Sequence, residues 1–592
     1  MGSGIKNSFN LFLMKLKFKK AIFFLKNISN ELLILFLFIF IVNNYFSNSD
    51  TRITADGIGY YDYLPSAFIH HDFIRYKSDA KLNPAKYARI NAVCTTVDFK
   101  DKKVDKYFCG TAILQFPFFY YTWLTQPRTN DINEGYQKPY QNAVFYAAIF
   151  YLFLAIFFLK RTLALYQCSR NTIIFIQLLL VLGTSVTFYA DQNAAYSHIY
   201  SLFAITSFIY LIKKYFTNRA FTTFIWACLF LGLIVIIRPI NGIIVFFIPF
   251  IAGSFSRLKE EFLYLMKNLP KIAIGFLVFV SVISIQFILW YLQTGYFFVY
   301  TYGEEGFDFL HPQLLNVLFS FRKGLFVYTP MLLFSFVALI WLGVKQRYYE
   351  LITWVSFFFI ITYFISSWKC WDYGGSFGMR PFVEFYSTFF ILFALMFDKF
   401  KLWIKLFIAV PAVFFIYINI IQTYQYKMFI LDWGQMNKQK YKTIFLKTSE
   451  PYKALVLKKE YDYKWFVITN EIKFGDFKLP PSQWKIFIEK NTSSFKDFLG
   501  TYMIQVGITN EFDEDNDASI TLSLLDESDK VIYFQERYLI HFNEKGLNRY
   551  QAGLYNFELP KEIVNKNYKL KIGAVTRTKE LHLKNVTVTL FK

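Results

Sequence analysis

Long apolar runs alternate with short polar breaks from about residue 29 to residue 424, and then the pattern changes. A membrane-spanning helix needs about 20 predominantly apolar residues. Candidate runs lie near 29–46, 142–159, 172–190, 198–212, 221–237, 241–253, 271–292, 325–343, 349–366, 382–397 and 402–423. They predict about eleven transmembrane helices, with 198–212 and 241–253 short for a span. Farther on, Ile468, Ile472, Phe474, Tyr502, Ile504, Val506, Ile508, Ile520, Leu522 and Leu524 fall in short alternating runs. Polar turns at Glu511–Asp517 and Asp526–Asp529 separate them. Short alternating strands with turns between them predict an all-β sandwich.

The chain therefore divides into a basic, interfacial segment (1–28), a helical membrane domain (29–424), a polar linker (425–455) and a β-sandwich domain (456–592). Within the membrane domain, a long polar stretch (47–140) reads as a first outer loop with interfacial helices.

Charge orients this arrangement. The short loops at 160–171, 213–220, 254–271, 344–348 and 398–405 are rich in Lys and Arg, and the short loops on the other side are poor in them. Positive loops stay in the cytoplasm, so the N-terminus lies inside and the C-terminal domain outside. That requires an odd number of spans, as eleven is. The expected location is a bacterial cytoplasmic (inner) membrane, with the C-terminal domain periplasmic.

Composition agrees. The 592 residues are 55% hydrophobic and only 18% charged, with a formal charge of +22. The positive-inside bias and attraction to anionic lipid account for that charge. No recognition fold for nucleic acid is visible. The five cysteines form no CxxC pair, which argues against a zinc site. Cys94 and Cys109 flank a polar outer stretch and are a candidate disulfide. There is no Walker loop and no HExxH motif, so ATP-driven transport and zinc proteolysis have no support.

Four polar clusters sit at the outer ends of the apolar runs. The first is Asp56-Gly-Ile-Gly-Tyr60-Tyr61-Asp62. A partly desolvated carboxylate at the membrane boundary suits a general base, with a helix-capping Asp as the competing reading. The second is Arg238-Pro239-Ile-Asn241. Its guanidinium fork suits a phosphate, although an arginine at a span end also snorkels. The third joins Glu304-Glu305 to Arg322-Lys323-Gly324, positive charge on the outer side against the usual trend. The fourth is Lys369-Cys-Trp371-Asp372-Tyr373-Gly374-Gly375, ending at Arg380-Pro381. Its aromatic faces suit sugar rings, and its glycines let a ligand approach the backbone. His198, after Tyr196-Ser197, also lies at an outer end. A lone histidine there is more often a structural residue.

The order of these motifs, with Lys106-Tyr107, Gly110 and Pro117 in the first outer loop, resembles the C-type membrane glycosyltransferases. These include the protein O-mannosyltransferases and the lipid A aminoarabinose transferase. The resemblance covers residues 30–424. The spacing from Asp56 to Tyr60 matches the family's catalytic acid followed by an aromatic, with Asp62 as a rival. The paired Asp-Glu of the mannosyltransferases is Asp56-Gly57 here.

The resemblance implies a polyprenyl-phosphate sugar donor and a protein, lipid or glycan acceptor. Asp56 would be the base. Arg238, Arg322, Lys323, Lys369 and Arg380 would meet the donor phosphate. Tyr60, Tyr61, Asp62, His198, Glu305, Trp371 and Asp372 would bind sugar or acceptor. Some family members need a divalent metal and others do not, and no ligand set in the sequence decides between them. The competing class is a transporter or flippase of a lipid-linked glycan, which would need no base.

Overall fold

The computed structural model describes residues 27–46, 52–71, 95–100, 102–129, 134–303, 305–434, 436–448, 468–480, 483–494, 503–511, 518–538, 550–559, 567–576 and 581–591. They fall into two compact units: the helices and loops up to Tyr424, and the strand-rich region from Lys440 onward.

In the first unit, helix α1 (Asn27–Tyr45) is followed by α2 (Asp56–Phe68). A small hairpin, β1 (Thr96–Phe99) and β2 (Lys102–Asp105), leads into α3 (Gly110–Thr125). Then come α4 (Lys138–Leu165), α5 (Arg170–Leu182), α6 (Val186–Asp191), α7 (His198–Asn218) and α8 (Phe221–Ile237). A 3-10 segment, Pro239–Phe247, continues into α9 (Ile248–Ala252), and α10 (Phe255–Met266) and α11 (Leu269–Thr294) follow. The rest comprises α12 (Leu314–Phe319), α13 (Leu325–Tyr328), α14 (Leu333–Val344), α15 (Tyr348–Ser366), a 3-10 turn at Arg380–Phe385, α16 (Tyr386–Asp398) and α17 (Leu402–Lys427). A short helix, α18 (Lys438–Ile444), precedes the strands.

Seven helices among the described residues are long and apolar enough to cross a membrane, or eight if one bent pair counts as a span. Three further apolar helices, Arg170–Leu182, Phe221–Ile237 and Pro330–Val344, fall on expected runs but are shorter, in part for local reasons. The run 172–190 breaks at Gly183, leaving α5 with 13 residues, or about 20 Å of rise. The run 325–343 breaks at Pro330, which cannot continue the hydrogen-bonded ladder of a helix. The run 241–253 bends by 118° into the amphipathic α10.

Burial separates core from lipid face. The central helix α7 packs against α4 and α8 and is largely enclosed, as is α16. Helices α11 and α17 expose Phe276, Leu277, Leu402, Val410 and Val413, an apolar surface suited to hydrocarbon.

The second unit holds two four-stranded antiparallel sheets. Its strands are β3 (Ile468–Leu479), β4 (Gln483–Asn491), β5 (Met503–Glu511), β6 (Ser519–Leu525), β7 (Val531–Tyr538), β8 (Tyr550–Glu558), β9 (Lys569–Thr576) and β10 (Leu581–Phe591). The orders are β3-β10-β5-β8 and β4-β9-β6-β7. Ile504, Val506 and Val588 of one sheet and Ile520, Leu522 and Ile572 of the other share one buried core, the arrangement of a β-sandwich. Tyr502 lies outside the described residues.

Candidate active site

Asp56 opens α2, in the turn that follows Ala55. Ala55 has φ +44°, a region that favours glycine, so the backbone beside this carboxylate is strained. The glycines of the motif permit close approach. A Cβ on Gly57 would stand 2.8 Å from Ala195 Cβ, and one on Gly59 would stand 2.3 Å from the Tyr107 ring. The helix therefore packs directly on Ala195-Tyr196 and on Tyr107.

Tyr107 is held in place from several sides. The Tyr107 backbone N–H donates to Asp105 Oδ1 at 2.8 Å, and the Tyr63 hydroxyl donates to Tyr107 O at 2.7 Å. The Tyr60 and Tyr107 rings meet at 4.4 Å. The hairpin before Lys106-Tyr107 thus serves to deliver that pair to α2.

The Asp56 carboxylate pairs with Arg380, Nη2 to Oδ2 at 2.7 Å, and both side chains are mostly buried. Burial pushes the Asp56 carboxyl up, but the Arg380 guanidinium, the Tyr107 hydroxyl and the Lys106 ammonium outweigh it and hold it below its ordinary value. Arg380 also stands 5.5 Å over the Tyr196 ring. Burial pushes the Tyr60 phenol up to about 12, with Arg238 opposing, so at neutral pH it is a hydrogen-bond donor. Lys106 Nζ reaches Glu305 Oε1 at 2.5 Å.

Next to this pair lies a second ionic group. Arg238 Nη1 donates to Glu384 Oε1 at 2.5 Å, and His198 Nδ1 lies 2.9 Å from the same oxygen. Glu384 is fully buried. The His198 ring packs edge-on against Tyr189, at 4.8 Å. The Asp56–Arg380 and Glu384–Arg238 pairs lie within electrostatic reach of each other through Tyr60.

The structure gathers Asp56, Tyr60, Arg238, His198 and Arg380 into this cluster, with Glu305 at its edge through Lys106. Arg322 and Asp372 form a separate ion pair at 2.5 Å, with Arg322 5.8 Å from the Trp371 ring. Lys323 is buried, and its ammonium donates to the Ser376 carbonyl, bracing the loop. Lys369 is exposed.

Two expected sugar or acceptor residues turn elsewhere. The Tyr61 hydroxyl donates to Gly135 O at 2.7 Å, and Asp62 accepts from Ser66 at 3.2 Å and from Tyr136. One residue on from Tyr60, a helix has already rotated by about 100°, so Tyr61 and Asp62 face the packed interior behind α2. Glu304 and Cys94 lie outside the described residues, and Cys109 is buried.

Glu384 was missed by the sequence reading. Its signal was a carboxylate two residues into the apolar run 382–397, where an ionisable residue is costly and usually functional.

Among the described residues, no three His, Cys, Asp or Glu side chains converge as metal ligands. What the cluster does offer is two carboxylate–guanidinium pairs, Asp56 with Arg380 and Glu384 with Arg238. Each cation is matched by an anion, so an arriving phosphate would compete with Asp56 for Arg380.

No family model and no curated protein matches the sequence. Among solved structures, the chain is similar to the archaeal oligosaccharyltransferase AglB from Archaeoglobus fulgidus, in complex with an inhibitory peptide and a dolichol-phosphate. That match has 10% identity and a TM-score of 0.37, and covers 70% of this chain and 57% of that one. It is also similar to the arabinosyltransferase EmbB from Mycobacterium smegmatis, with 10% identity and a TM-score of 0.29, covering 91% of this chain and 64% of that one. The chain thus spans less than two thirds of either neighbour's length.

Proposed function

We propose that this chain is a membrane glycosyltransferase that moves a sugar from a polyprenyl-phosphate donor to an acceptor hydroxyl on the extracytoplasmic face. The observation that carries the reading is the 2.7 Å pair between Asp56 and Arg380, set beside Arg238. The proposed base and the proposed phosphate-binding group are thus in direct contact.

In this mechanism the donor phosphate draws Arg380 away from Asp56, and Arg238 adds a second positive charge. The freed Asp56 carboxylate accepts the proton of the acceptor hydroxyl. The acceptor oxygen forms its bond to the anomeric carbon from the face opposite the phosphate. The anomeric carbon–oxygen bond breaks, its electron pair leaves with the phosphate, and the guanidiniums stabilise the departing charge. The configuration at that carbon inverts. The donor carries its own activated bond, so no nucleotide is consumed.

The proposed setting is a bacterial cytoplasmic membrane with the strand-rich domain outside, supported by the basic loops between spans. Arg322 and Lys369 are proposed as outer contacts to the donor, with Lys323 bracing the loop from inside, and Trp371, Asp372 and Glu305 as contacts to sugar or acceptor.

The test is incubation of the purified protein in nanodiscs with radiolabelled undecaprenyl-phosphate mannose, glucose, galactose, N-acetylglucosamine and arabinose, with envelope extract as acceptor. The expected result is label moved from lipid to acceptor with one donor. Donor binding without transfer, accompanied by passage of the lipid across the membrane, would favour the flippase.

A further inference from the structure

Glu384 uses its two carboxylate oxygens unequally. Oε1 serves both Arg238 and His198. Oε2 is buried, and no hydrogen-bond donor among the described residues reaches it. A carboxylate oxygen kept from water without a donor is costly, so its position calls for a function.

It is not alone. Arg238, Asn241 and Ser197 belong to segments that meet here, and α7 packs directly on the 3-10 turn carrying Glu384. Asn241 is fully buried and spends its amide N–H on Ser201 Oγ at 3.0 Å, one turn along α7 from His198. Asn241 Oδ1 then has no donor among the described residues. The part of the region around Glu384 Oε2 and Asn241 Oδ1 therefore holds two buried acceptors that lack donors. A phosphate would not satisfy it, because a phosphate brings only acceptors. A polyhydroxylated ring brings several donors.

We propose that Glu384 Oε2, with Asn241 Oδ1, forms the hydroxyl-recognition subsite for the transferred sugar, distinct from the guanidiniums that hold the phosphate. This rests on the reading that the donor is a lipid-phosphate sugar. Glu384 selects the sugar by accepting from its hydroxyls, while its other oxygen keeps Arg238 aimed at the phosphate.

The experiment measures binding of two probes to nanodisc-embedded protein by native mass spectrometry. One is sugar-free undecaprenyl phosphate, and the other is the set of undecaprenyl-phosphate monosaccharides named above. Wild type should bind one sugar-bearing lipid more tightly than the sugar-free lipid. Glu384→Gln should weaken that lipid by roughly tenfold or more and weaken the sugar-free lipid, through Arg238 alone, by clearly less. Asn241→Ala, a milder change, should act in the same direction and serves as the second variant.

An equal loss for both probes would overturn the subsite and make Glu384 a support for Arg238 alone. Unchanged affinities in both variants would overturn it as well. Wild type binding sugar-free lipid with no gain from any sugar would overturn the subsite yet leave the lipid-phosphate reading standing. Wild type binding neither probe would overturn both.

Discussion

Asp56 and Arg380, from opposite ends of the membrane unit, meet at 2.7 Å. The contact sets the protonation of the proposed base. Burial alone would raise the Asp56 carboxyl, and Arg380 is the largest of the groups that reverse this. The acidic limb of kcat/KM, which reports the free enzyme, should therefore lie below the ordinary carboxylate range in wild type. The favourable contribution of this contact to folding is present above the unfolded carboxyl's pKa and is lost as pH falls through the lower folded value.

Replacing Arg380 by Gln removes the main countercharge and leaves burial in place. The residual activity of Arg380→Gln should show its acidic limb moved to higher pH, in addition to a lower overall rate. A pH–rate profile with an unmoved limb would separate Arg380 from the base.

Gly59→Ala places a methyl group where the Tyr107 ring now lies. Overpacking of this kind costs about 1–3 kcal/mol. Because Tyr107 hydrogen-bonds to Asp56, transfer should fall by more than the loss of folded protein explains. Comparing specific activity with thermal melting in detergent checks this.

Arg238→Ala strands the Glu384 carboxylate in the interior. Removing one partner of a buried pair costs about 3–5 kcal/mol, so melting temperature should drop sharply. The double variant Arg238→Met, Glu384→Leu should recover much of that loss while remaining inactive. Thermal melts of the three proteins measure the coupling.

Tyr61→Phe removes the hydrogen bond to Gly135, and Asp62→Asn removes one of the two acceptor oxygens that serve Ser66 and Tyr136 behind α2. Each should reduce stability by about 1 kcal/mol with kcat changed less than twofold. A large kcat loss without destabilisation would put these side chains back at the reacting centre.

The sequence made some of this visible and hid the rest, for physical reasons. Asp56, Arg238 and Arg380 stood out because charge at a span end is expensive. That Asp56 and Arg380 touch is a long-range contact with no local signature. The helical phase that carries Tyr60 toward Asp56 and turns Tyr61 and Asp62 away follows from 3.6 residues per turn, but only once 56–68 is known to be helix, and Gly57, Gly59 and Pro65 argue locally against one. Glu384 was overlooked because the apolar residues around it read as uninterrupted span. The alternating core positions Ile520, Leu522 and Leu524 carried the sandwich directly. Gly183 and Pro330 divide two expected spans, because hydropathy continues there but the helix does not.

The central claim is that Asp56 takes the acceptor's proton. The most direct test is single-turnover transfer from the donor identified in the panel, wild type beside Asp56→Asn, with donor binding measured on the same samples. The account predicts a loss of about 10²-fold to 10⁴-fold in transfer rate, with donor binding retained and the protein still folded. Transfer by Asp56→Asn at near wild-type rate would contradict it.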